Sequence, residues 1–147
     1  MNKPAIPRVL LVALSFLLLS FTWQTDFEKA KSEATAQHKL IMLKFSGSDW
    51  CIPCIRMEKM VFNTPVFQAF ADSSLVMVNA DYPRLKKNQP SKDIAHQNDQ
   101  LAAIYNKEGH FPLTLLLSAD GKVLKRWDGY SGTPPADFIA QIQTAAR

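Results

Sequence analysis

The segment LIMLKFSGSDWCIPC, residues 40 to 54, constrains the fold more than any other part of the chain. It begins with a run, LIMLKF, in which only Lys44 is charged. A run this short and this apolar fits a central strand covered on both faces better than an edge strand. A short loop then leads to Cys51, and Cys54 follows three positions later. Pro53 sits where a first-turn proline is tolerated, so the pair opens a helix that CIRMEKMVF continues. The chain has no other cysteine.

The remaining elements follow from periodicity and turn residues. TDFEKAKSEATAQHK (25 to 39) reads as a helix, with Thr25 and Glu28 at capping-box spacing. Thr64 caps a short helix whose first residue is Pro65. SLVMVNA (74 to 80) is a second strand, YPRLKKNQPSK (82 to 92) a basic loop, and DIAHQNDQLAAIYNK (93 to 107) a helix ending near Gly109. LTLLLS (113 to 118) and KVLKRW are strands joined by an Asp-Gly turn. PPADFIAQIQTAA (134 to 146) is a closing amphipathic helix. The first two strands are linked by a helical crossover and are expected to be parallel, whereas the last two form a hairpin. An α/β fold results, with a central mixed sheet of four or five strands flanked by helices. No repeat, low-complexity tract or linker divides it.

Composition fits one globular domain. At the N-terminus, Lys3 and Arg8 precede eleven uncharged residues, VLLVALSFLLL. A spanning helix needs about 20 apolar residues. Residues 1 to 22 therefore read as a signal peptide, with an uncleaved anchor as the alternative, and residues 23 to 147 as the domain. Without the leader the formal charge falls from +4 to +2, which gives no reason to expect nucleic acid as a partner. An exported, periplasmic or otherwise extracytoplasmic chain meets conditions in which disulfides persist.

Three roles are open to the cysteines. A closed zinc site needs four ligands, and His38, His96 and His110 are scattered singly with no second Cys pair, so no metal is expected. A structural bridge across so short a loop would remove little entropy from the unfolded chain. Redox exchange suits the spacing best. Free amides and the dipole at a helix start favour a thiolate on Cys51, the attacking species. Cys54, one turn on, is near enough to close the ring and is expected to be the more buried.

DWCIPC after the apolar strand, and HFPLTLLLSADGK about sixty residues later, resemble the thioredoxin superfamily. Over SGSDWCIPCIRMEKMVFNTPVFQAF the likeness is strongest to exported thioredoxin-like proteins, including the C-terminal domain of the membrane thiol-disulfide interchange protein. The resemblance implies the thioredoxin fold and a cis proline at Pro112, preceded by Phe111, opposite the Cys pair. It also implies a client-binding groove edged by Trp50, Ile52, Pro53, Phe111 and Pro112. Expected partners are client proteins with disulfides and a membrane or envelope electron donor. No cofactor is expected beyond the Cys51–Cys54 pair, and a monomer is expected because no dimerisation segment is added. The Ile-Pro dipeptide between the cysteines lacks histidine, which favours a reductase over an oxidase or isomerase. A non-catalytic binding or chaperone-like module is the remaining alternative. Thioredoxin carries a buried aspartate in its central strand, but Lys44 stands near that place here, so that role is vacant or filled elsewhere.

Among supporting residues, Glu58 shares a helix face with Cys51 and Cys54 and is a candidate proton acceptor for Cys54. The competing reading is a surface carboxylate paired with Lys59 or Arg56. Asp81 is a weaker candidate acid. Trp50 is expected to shield the thiolate. His110 and Tyr130 are read as a solvated loop histidine and a turn residue. Arg84, Lys86, Lys87 and Lys92 read first as a solvated loop and second as cations steering an acidic partner.

Overall fold

The computed structural model describes residues 21–147. The leader expected at residues 1 to 22 thus lies outside the described residues, apart from Phe21 and Thr22. A two-residue strand, β1 (Trp23–Gln24), is followed by α1 (Phe27–Gln37), β2 (Leu40–Ser46) and α2 (Ile52–Met57). α2 runs straight into a π-helical turn, Glu58–Phe62. Then come α3 (Pro65–Ser74), β3 (Leu75–Asp81), a short 3-10 turn at Lys86–Asn88, and α4 (Lys92–Tyr105). β4 (Leu113–Leu117), β5 (Val123–Asp128) and α5 (Pro135–Ala145) complete the described chain.

The strands form one sheet in the order β1-β3-β2-β4-β5. β3 is parallel to β1 and β2, while β4 is antiparallel to both β2 and β5. This is the mixed, helix-flanked sheet expected from the element order, with five strands. The fifth is β1, which sets Trp23 opposite Met77 at the edge of β3.

Side-chain alternation along β2 decides the layers. Ile41, Leu43 and Phe45 join Phe27, Ala30, Ala34 and Leu101 under α1 and α4. Met42 faces the other way, into a cluster with Met57, Phe62, Phe67, Phe138 and Ile142. Lys44 follows Met42 on that second face. It pairs in register with Asn79 on β3 and Thr114 on β4, so a polar row crosses the sheet beneath α2.

Two helix starts differ from expectation. α1 is capped by Asp26, whose carboxylate accepts from the Lys29 N–H at 2.9 Å. The helix begins one residue later than a Thr25 cap requires, so no Thr25–Glu28 box forms. Pro65 does open α3, but the Thr64 hydroxyl donates to the Val61 carbonyl at 2.6 Å and makes no cap. Among the described residues no helix is long and apolar enough to cross a membrane.

Candidate active site

The end of β2, the start of α2 and the start of β4 meet at one edge of the fold. β2 runs toward the cysteines, and Phe45 near its end pairs with Leu113 at the start of β4. Pro112 is therefore brought to the same end of the sheet as Cys51. Cys51 caps α2 with an extended backbone, and its Sγ accepts the Cys54 N–H at 3.3 Å. The two cysteines are joined in a disulfide with Cα atoms 5.2 Å apart, within the usual span. Each is 4% exposed, so Cys54 is not the more buried of the two. Bonded to one another, the sulfurs share one place at the helix mouth, and burial does not rank them.

Trp50 joins three segments. Its indole lies against Gly47, where an added Cβ would fall 2.2 Å from the ring. Its Nε1 donates to the Tyr82 carbonyl at 2.7 Å. The ring meets Phe111 edge-on at 5.5 Å, and the Arg84 guanidinium lies 4.1 Å above it. Beside it, Asp49 accepts from the backbone N–H groups of Arg84 and Leu85 and from Asn88 Nδ2, at 2.8 to 2.9 Å. These donors, the Arg84 amide foremost, hold the Asp49 carboxyl below its ordinary value. The basic loop is thus tied to the cysteine loop. Sequence reasoning missed this, because the partners lie 35 or more residues apart.

The Phe111–Pro112 peptide is cis, and Pro112 is buried. The Pro112 carbonyl accepts the Gly129 N–H at 2.8 Å. Buried Asn106 clamps His110 at both its N–H and its carbonyl. The His110 ring turns to Asp128, 2.7 Å away, whose carboxyl is held low by Arg126 and then His110. Tyr130 donates to Thr133 within its own turn. Ile52 and Pro53, the first residues of α2, are exposed, Ile52 at 73%.

Cys54 also lines a cavity of about 410 Å³ with Trp23, Lys44, Ser46, Glu58 and Asn79. Here the structure corrects the expected partners of Glu58. Its carboxylate pairs with Lys44 of β2, not with Lys59 or Arg56. Trp23 Nε1 donates to the other Glu58 oxygen at 3.2 Å, and the Lys44 ammonium sits 4.0 Å over the Trp23 ring. Burial pushes the Lys44 ammonium below its ordinary value, and Glu58 pulls it partly back. A buried cation of β2 and a carboxylate from α2's continuation thus form an ion pair in the cavity that Cys54 lines. Lys44 was itself the available signal, since a charge inside an apolar run needs a buried partner. Asp81 accepts from Ser46 Oγ and from the Ser48 N–H and hydroxyl, so it fastens the loop. Among the described residues no cluster of His, Cys, Asp and Glu could hold a metal.

A mixed sheet with a cysteine pair at the mouth of the helix that follows its central strand defines a class, and comparison with known proteins agrees. The pattern of a family described as thioredoxin-like matches residues 22–119, and the chain belongs to that family. Disulfide bond reductase DsbH of Chlamydia pneumoniae is 32% identical over 125 residues, which cover 85% of this chain and 72% of that protein. Thioredoxin-related protein DsbJ of the same organism is 29% identical over 126 residues, 84% of this chain but 35% of its own length. A solved structure of a DsbH oxidoreductase superposes with a TM-score of 0.76 at 30% identity, covering 86% of this chain and 84% of that one. With its Cys51–Cys54 pair, the chain is a thiol–disulfide oxidoreductase of the Dsb kind.

Proposed function

We propose that the chain is an exported reductase of protein disulfides in which Cys51 attacks and Cys54 resolves. One observation carries this reading: the Cys51 sulfur caps α2 and accepts the Cys54 amide N–H. In the dithiol form that donor and the helix dipole favour negative charge on Cys51. The thiolate attacks one sulfur of a client disulfide. A Cys51–client bond forms, the client S–S bond breaks, and the departing sulfur takes a proton from water. Cys54 then gives its proton to Glu58, which lines the same cavity, and attacks Cys51 Sγ. The mixed disulfide breaks, and the second client sulfur departs as a thiolate that takes up the proton Glu58 returns through water, leaving as a thiol. Two electrons pass from the cysteine pair to the client without a cofactor.

The client's extended segment lies beside Pro112, which offers no N–H, and contacts Trp50, Ile52, Pro53 and Phe111. An envelope or membrane electron donor returns the electrons. Two points support the reducing direction: there is no histidine between the cysteines, and the DsbH relative is described as a disulfide bond reductase.

Insulin disulfide reduction tests the assignment. Cys51→Ser is expected to abolish it, while Cys54→Ser is expected to accumulate mixed disulfides visible on non-reducing gels. Glu58→Gln is expected to slow release of the mixed disulfide while its formation keeps its rate. Full activity of the Cys51 variant would reject the assignment. A Cys51–Cys54 potential near about −270 mV marks a reductase, and one near about −120 mV an oxidase.

A further inference from the structure

The carboxylates and cations around Cys51 are used very differently. Three acids lie close to the cysteine loop, and each is already engaged. Asp49 accepts from Arg84, Leu85 and Asn88. Asp81 is bound by Ser46 and Ser48, and Glu58 by Lys44 and Trp23. The cations point outward. Arg56, Lys59, Arg84, Lys86 and Lys87 are all exposed, and among the described residues none of them forms an ion pair. Arg84 lies over Trp50, the neighbour of Cys51, and Arg56 and Lys59 project from the helical segment that Cys51 opens.

We infer that this face selects client segments with acidic residues beside the reacting cysteine. The inference rests on the disulfide-exchange reading above. A solvated basic loop is the ordinary alternative, and what separates the two is that this loop is held in place. Besides Asp49, Trp50 fixes the Tyr82 carbonyl, Gln89 reaches back to the Pro83 carbonyl, and Lys86–Asn88 form a 3-10 turn. Charges on a pre-ordered loop lose little freedom when a partner docks. Glu58 is paired with Lys44, and the five exposed cations outnumber the unpaired carboxylates nearest them, Asp49, Asp81 and Asp99. The net charge at the helix mouth is therefore positive, which draws acidic segments in and repels basic ones. Leu85, 50% exposed within the loop, and Ile52 add aliphatic contact beside the cations.

The test compares peptide disulfides with glutamates or with lysines flanking the cysteine. The acidic peptide is expected to react with a kcat/KM at least about tenfold higher at low salt. The gap should close when salt rises from about 0.01 M to about 1 M, as the screening length falls from about 30 Å to about 3 Å. Lys86→Glu combined with Lys87→Glu should erase or invert the preference. The same double variant should leave the rate on neutral bis(hydroxyethyl) disulfide unchanged. Lys122→Glu is the control. It lies in the β4–β5 turn, at the end of the sheet away from the cysteines, and should leave the preference intact. Equal rates on the two peptides at low salt, or a preference that survives the double reversal, would overturn the inference. Loss of turnover on every disulfide would instead count against the reductase reading. Fluorescence anisotropy of the same peptides, with serine for cysteine, then decides the inference: tighter binding of the acidic one upholds it, and equal binding rejects it.

Discussion

The two faces of β2 are made by alternate residues of a single short segment, yet they do different work. On the α1/α4 face, Ile41, Leu43 and Phe45 are fully buried and wholly apolar. On the α2 face, Met42 is equally buried, but Lys44 and Ser46 follow it, flanked by Asn79 and Thr114. That face turns polar as it nears the cysteines. One side is apolar throughout, and the other passes from an apolar cluster to an ion pair in the cavity that Cys54 lines. A strand buried on both faces can therefore carry chemistry on one of them, provided each polar group finds a partner.

The contrast can be broken from either side. Phe45→Ala empties the apolar face and should cost about 4 kcal/mol, measured by urea unfolding. Thiol reactivity of the folded fraction should not change, and a large change would show that the faces are not separate. Glu58→Ala breaks the polar side. It strands the Lys44 ammonium and should cost about 3 kcal/mol, recovered largely by adding Lys44→Met. The variant's pH dependence follows from the direction of the Lys44 shift. Its folded value lies below 10.5, so the unfolded chain holds that proton more tightly. Stability should therefore rise as pH climbs toward 10.5, and without Glu58's opposing pull the rise should be steeper than in the wild type. Gly47→Ala is the mildest. It pushes Trp50 off its seat at about 1 to 2 kcal/mol, and a red shift of tryptophan emission would report the displacement.

Much of this arrangement was legible in the sequence because periodicity and punctuation agree. LIMLKF, the Pro-opened helices and the Asp-Gly hairpin each point to one element, and together they give the sheet. The cysteine pair was legible for the same reason, since its position after a buried strand sets its chemistry. β1 was not, because two residues carry no period. A nearly unbroken apolar run also hides its two faces, so Lys44 was read against thioredoxin's buried acid and not as half of an ion pair. Its pairing with Glu58 depends on where α2 settles over the sheet, and the tie from Asp49 to Arg84 depends on how two loops approach. Both are products of tertiary placement.

Trp23 carries a practical consequence. It stands at the point where the chain enters the sheet, yet its indole is bonded to Glu58 and its ring supports the Lys44 ammonium. A recombinant fragment trimmed to begin at α1 would keep both cysteines and every helix. It would still remove a wall of the chamber behind Cys54 and wet a cation that the full domain keeps dry. Preparations that differ by only a few residues at that end should therefore not be treated as interchangeable when their redox rates are compared.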